Sequence, residues 1–102
     1  MAIQKKYLKS RPICKVTFRL PKEAVRSAKK VCIVGDFNGW KKKASPLKKL
    51  KDGSCKITLD LECGREYQFR YLLDNTTWEN DWDADKYVPS AYYGTDNSVV
   101  IV

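Results

Sequence analysis

Apolar and polar residues alternate with a period of two over most of this chain. Cys14, Val16, Phe18 and Leu20 alternate with Lys15, Thr17 and Arg19 before Pro21. That spacing predicts a half-buried strand, because successive side chains point to opposite faces of a sheet. Cys55, Ile57, Leu59 and Leu61 repeat the pattern against Lys56, Thr58 and Asp60. Tyr67, Phe69, Tyr71 and Leu73 do so against Gln68, Arg70 and Leu72, in a longer strand that stops at Asp74-Asn75. Val31, Cys32, Ile33 and Val34 form a short unbroken apolar run, which suits a strand covered on both faces. Residues 98–102 close the chain as another apolar strand.

Turn signals separate these runs. Gly35 ends the 31–34 strand, and Asn38-Gly39 supplies a turn because both residues tolerate positive φ. Residues 47–50 suit a short edge element, followed by Asp52-Gly53, the strongest short hairpin signal in the chain. Cys63-Gly64 marks a further turn. Residues 21–30 contain good helix formers, Glu23, Ala24 and Arg26, yet the run is too short for a stable helix and is expected to be a loop. The pattern predicts an all-β antiparallel sandwich. Residues 76–95 are the least regular stretch and carry Trp78, Trp82, Tyr87, Tyr92 and Tyr93. A long loop in a small domain usually binds something or packs as a lid.

A length of 102 residues fits one domain, read as a basic N-terminal extension over 1–13 and a sandwich over 14–102. No window approaches the roughly 20 apolar residues that span a bilayer, and the first residues lack a signal-like apolar core. A cytoplasmic setting without membrane contact is the expectation. Cys14, Cys32, Cys55 and Cys63 are even in number, but they lie in apolar strand patterns. Four buried, reduced thiols are favoured over two disulfides.

Charge is unevenly spread. Residues 1–51 hold 16 Lys and Arg against 2 acids, a net of +14, whereas residues 52–102 hold 4 against 10, a net of −6. Lys41, Lys42, Lys43, Lys48, Lys49 and Lys51 therefore raise the question of an acidic protein or nucleic-acid partner. Only Trp40 is interleaved with them, which makes nucleic acid the weaker expectation. A solvated basic edge that discourages strand-to-strand association accounts for the same residues.

The chain contains no His, so ordinary Ser-His and Cys-His nucleophiles are absent. The alternating acids of Asp81-Trp82-Asp83-Ala84-Asp85 resemble the start of a calcium loop, but Lys86 stands where that loop needs Gly and Tyr92 where it needs Glu. No metal and no cofactor is expected. Trp82 is either a further ligand contact or, preferably, a residue packed on the sandwich.

Trp40, at the exit of the Asn38-Gly39 turn, either reads a ligand at the surface or folds back on its sheet. Its context has a family likeness. GDFNGW over 35–40, Pro46-Leu47, Lys51-Asp52-Gly53, the run Tyr67-Gln68-Phe69-Arg70-Tyr71, Asp74-Asn75, Trp78 and the closing Gly94-Thr95-Asp96-Asn97-Ser98-Val99 occur in that order. Together they resemble a family 48 carbohydrate-binding module, over about residues 16–102. This is the early-set, immunoglobulin-like domain that accompanies α-glucan branching and debranching glycoside hydrolases, the isoamylase N-terminal domain among them. The sequence is also similar to the glycogen-binding domain of the AMP-activated protein kinase β subunit.

The resemblance implies a non-catalytic module that binds α-1,4-glucan, such as glycogen, starch or a maltooligosaccharide, and that can serve a glycogen-metabolising enzyme. It implies that Trp40 and Trp78 stack on sugar rings, that Arg70 stands where the family has a sugar-contacting lysine, and that Thr95 and Asn97 are polar contacts of the last loop. Tyr93 stands where the kinase module has an apolar finger. The residue types suit such a ligand, since an indole covers the C–H face of a pyranose while amides and cations meet its hydroxyls in fixed directions. Arg70 keeps the positive charge but offers a wider fork than lysine. An adaptor that has lost sugar binding and holds an acidic partner through its lysine-rich half is the alternative.

Overall fold

A computed structural model of the chain describes residues 1–91 and 94–102. Nine strands form two antiparallel sheets among these residues. The first sheet contains β1 (Ala2–Tyr7), β2 (Ile13–Leu20), β5 (Cys55–Glu62) and β4 (Lys48–Lys49), in the order β1-β2-β5-β4. The second has β3 (Val31–Gly35), β6 (Glu66–Leu73), β9 (Asp96–Ile101) and β8 (Lys86–Pro89), in the order β3-β6-β9-β8. A short strand β7 (Thr77–Glu79) pairs with the end of β6 through Leu72 opposite Trp78.

The period-two pattern sets the core. Cys14, Val16, Phe18 and Leu20 of β2 are fully buried, and they meet Tyr67, Phe69, Tyr71 and Leu73 of β6 between the sheets. Phe18 and Phe69 lie edge to face across that layer, with centroids 5.2 Å apart. Edge-to-face pairing suits aromatic quadrupoles and adds to the area that the rings bury. Phe37 closes one end of the layer, 6.1 Å from both Phe18 and Tyr67.

Strand β3 is buried on both faces, in keeping with its unbroken apolar sequence. Val31 and Ile33 join the core, while Cys32 and Val34 are buried on the opposite face. There they stand opposite Leu72 and Arg70 of β6. That outer face of the second sheet positions the site.

Several elements differ from the sequence reading. Residues 2–7 of the basic extension form β1, paired with β2 from Ala2 opposite Arg19 to Tyr7 opposite Cys14. The segment expected to be a loop over 21–30 contains a single helical turn, α1 (Lys22–Val25), whose Ala24 and Val25 are buried against β2. Tertiary packing supplies what the short run lacks by itself. The irregular stretch 76–95 contains β7 and β8, each too short for periodicity to disclose. Gly35 is the last residue of β3 and not a terminator beyond it, and β9 starts at Asp96, two residues before the expected strand. Of the four cysteines, all unpaired, Cys63 is only partly buried because it lies in the turn after β5.

The hairpin at Asp52-Gly53 has the expected form. Gly53 has φ +86° and links β4 to β5, with its N–H donating to the Leu50 carbonyl at 3.1 Å. Hydrogen bonds from the Ser54 hydroxyl and amide hold the Asp52 carboxyl below the usual carboxylate range. Strand β4 carries Lys48 and Lys49 on the edge of its sheet, where lysine discourages pairing with another chain.

Candidate carbohydrate site

The site starts from Gly35. Its backbone passes so close to β6 that a Cβ there would stand 2.5 Å from the Gln68 carbonyl oxygen and 2.7 Å from Phe69 Cβ. Only glycine fits such an approach. The chain then makes one 3-10 turn over Asp36–Asn38. Asn38 ties this turn down: its Oδ1 accepts from the Gly35 N–H at 3.0 Å, and its Nδ2 donates to the Ile33 carbonyl at 2.9 Å and to Ser45 Oγ at 3.2 Å.

Gly39 and Trp40 follow with φ of +66° and +59°. Positive φ costs glycine little but is uncommon for a bulky residue, so the turn holds Trp40 in a sparsely populated conformation. Its N–H donates to the Gly35 carbonyl at 2.9 Å, and its indole Nε1–H donates to Asp36 Oδ1 at 2.8 Å. The other oxygen of Asp36 accepts from the Gln68 N–H at 2.8 Å. A single carboxylate thus joins the tryptophan to strand β6. Despite this fixation the ring stays 37% exposed.

Trp78 reaches the same place by a separate route. It stands opposite Leu72 in the β6–β7 pair, on the outer face, and is 39% exposed. Trp40 and Trp78 line one open groove of about 670 Å³. Arg70, Thr95 and Asn97 line it as well, so the structure brings together all the described residues that the resemblance nominated. Tyr93 lies outside the described residues.

Polar groups of the groove are ordered. Asn97 is nearly buried on β9, not in a loop; its Oδ1 accepts from Arg70 Nε at 2.6 Å, and its Nδ2 donates to Gln68 Oε1 at 3.0 Å. The side chains of Ser90 and Thr95 are hydrogen-bonded to each other where β8 gives way to the last turn. Arg70 Nη2 is buried and has no hydrogen-bond partner among the described residues. Buried donors are nearly always paired, so this one is poised for an acceptor that enters the groove.

Asp36 and Gln68 also line the groove and were not singled out from sequence, and Lys42, which lines it too, was noted only as part of the basic cluster. Gln68 was within reach, because it lies two residues from Arg70 and shares its face of the strand. Asp36 stands inside the GDFNGW motif, but its role depends on the turn folding back on β6. Trp82 neither packs away nor reaches the groove: its ring is 53% exposed and is not among the groove residues. The acids around it are engaged within the fold. Asp81 accepts from the Tyr71 hydroxyl at 2.7 Å, and Asp85 accepts from Lys5 Nζ and the Ile101 N–H, both at 2.7 Å.

Two partly exposed apolar plates lining one concave surface together with fixed donors and acceptors are chemistry for a ligand that is apolar on its ring faces and polar around its rim. Comparison with known protein families matches residues 23–102 to the glycogen recognition site of AMP-activated protein kinase. The chain belongs to that family. It is a non-catalytic carbohydrate-binding domain, and the matched span runs from α1 through β9 and so includes the whole groove. No curated protein matches the chain.

Proposed function

We propose that this glycogen-recognition domain binds linear or cyclic α-1,4-glucan in the groove between Trp40 and Trp78. The observation that carries this reading is the convergence of two partly exposed indoles, brought by different elements, on one groove. Exposed tryptophans forgo the burial that would otherwise stabilise the fold, and a ligand that covers both recovers it. Arg70 supports the reading with a buried, unpartnered nitrogen suited to a sugar hydroxyl, and Asn97 sets the direction of the guanidinium. Thr95 adds a polar contact at the rim.

The groove is open and its contacts are few. Affinity is therefore modest, with Kd between about 1 mM and about 1 μM, or roughly −4 to −8 kcal/mol. Binding of this kind recruits or localises, and it would bring an associated glycogen-metabolising enzyme to its polymer within the cytoplasm.

Isothermal titration with β-cyclodextrin and maltoheptaose tests the reading, with Trp40→Ala and Trp78→Ala as variants. Saturable binding that weakens at least about tenfold in each variant is expected, as for aromatic anchors elsewhere. Absence of heat at millimolar sugar from a folded protein would overturn it.

A further inference from the structure

Next to the sugar groove lies a second, smaller depression on the same face of the sheet. Cys32 and Leu72, both buried on the outer face, lie at this depression together with Asn75, and Lys30, Lys42 and Lys43 line it as well. Lys42 lines the sugar groove too, so the two hollows adjoin at that side chain.

Three lysines border this one hollow, and like charges placed near one another repel. Among the described residues none of the three enters an ion pair, although Lys5, Lys15, Arg19 and Arg26 all do. Two carboxylates lie nearby, and among the described residues each accepts only from neutral N–H groups. Asp74 turns its Oδ1 to the backbone N–H groups of Lys29 and Lys30, at 2.9 and 3.0 Å. Asp36 accepts from the Trp40 indole and the Gln68 N–H. Arg70 adds a further cation with a free buried nitrogen a short way along the groove. The whole face therefore presents exposed rings beside a net positive charge, Lys30, Lys42, Lys43 and Arg70 against Asp36 and Asp74.

Resting on the glucan reading above, we infer that the lysine rim of this hollow is a phosphate subsite, and that the preferred ligand is an α-glucan bearing phosphate monoesters. The rings hold neighbouring glucose units while a phosphoryl group on the same chain lies over the mouth of the hollow, where its oxygens accept from the exposed Lys30, Lys42 and Lys43. Lysine suits a phosphoryl group because its ammonium supplies up to three donors and a point charge, and charged hydrogen bonds are stronger than neutral ones. Flat apolar rings and cations placed side by side select for both parts of the ligand at once.

Isothermal titration tests this with one maltooligosaccharide carrying a 6-phosphate monoester and with the same preparation after phosphatase treatment. The phosphorylated form should bind about tenfold more tightly at low ionic strength, and the preference should shrink as salt is added. In a Lys30→Gln/Lys43→Gln double variant, which keeps Lys42, the preference should fall by more than half while the dephosphorylated sugar binds as it does to the unmodified protein, since neither replaced lysine lines the sugar groove. Equal binding of the two sugars by the unmodified protein, or a preference that is undiminished in the double variant, would overturn the phosphate subsite and leave the glucan reading standing. Absence of binding by either sugar would overturn both.

Discussion

Asp36 is the residue on which the site turns, because its two oxygens hold the Trp40 indole on one side and the Gln68 backbone on the other. Asp36→Ala should cost about 1 kcal/mol of glucan affinity, roughly fivefold, by releasing the ring. Asp36→Asn retains one oxygen acceptor and should recover part of the loss; titration of the two variants side by side checks the order. Asp81 makes a second prediction at this scale. It is fully buried, accepts from the Tyr71 hydroxyl, and has its pKa raised, chiefly by burial, with the Tyr71 bond and the Asp83 amide opposing. A carboxyl whose folded pKa exceeds its unfolded value binds its proton more tightly in the folded state. Its contribution is fully present below the ordinary carboxylate value and is lost as pH rises through the raised one. The unmodified protein should therefore gain stability relative to Asp81→Asn as pH falls through that window, measured as the difference in Tm between the two. A difference that is flat with pH would refute it. Burial and the neighbouring carboxylate push the Tyr71 phenol well above its usual range, so it stays a donor throughout.

At the scale of elements, the 3-10 turn after β3 depends on a glycine whose Cβ position is already filled by β6. Gly35→Ala should destabilise the fold by about 1–3 kcal/mol, the usual cost of overpacking, and should be visible in a urea denaturation midpoint. The long strands were legible in sequence because each has one face in the core: β2, β5 and β6 alternate as a half-buried strand must. Strands β7 and β8 were not, being three and four residues long, and neither was β1, whose burial alternates only between exposed and partly exposed positions. Their pairing is set by neighbours distant in sequence, which no local pattern records. The site divides along the same line. Trp40, Arg70, Trp78, Thr95 and Asn97 were named from a family motif, whereas Asp36, Gln68 and Lys42 join the groove through tertiary folding.

Over the whole molecule, the opposed charges of the two halves are partly spent within the fold. Lys5, Lys15, Arg19 and Arg26 of the first half pair with Asp85, Asp60, Asp52 and Glu79 of the second. The pair between Lys5 and Asp85, at 2.7 Å, ties β1 to the acidic segment before β8, and the N-terminal amine lies 3.6 Å from Asp83. The sandwich thus uses its charge asymmetry as internal stitching and leaves Lys30, Lys42 and Lys43 beside the sugar face. In the proposed mode neutral glucan would meet that face through rings and hydrogen bonds, so its affinity should change little between low and moderate salt. A steep fall with salt in the same titration would show that charge dominates instead.

The most direct test uses the three indole N–H signals of a 15N-labelled sample, one each from Trp40, Trp78 and Trp82, titrated with maltoheptaose. The signals of Trp40 and Trp78 should shift together along a single saturation curve, while that of Trp82, which is exposed but does not line the groove, should stay in place. Shifts confined to Trp82, or none at millimolar sugar, would contradict the central claim that α-glucan binds between the two groove tryptophans.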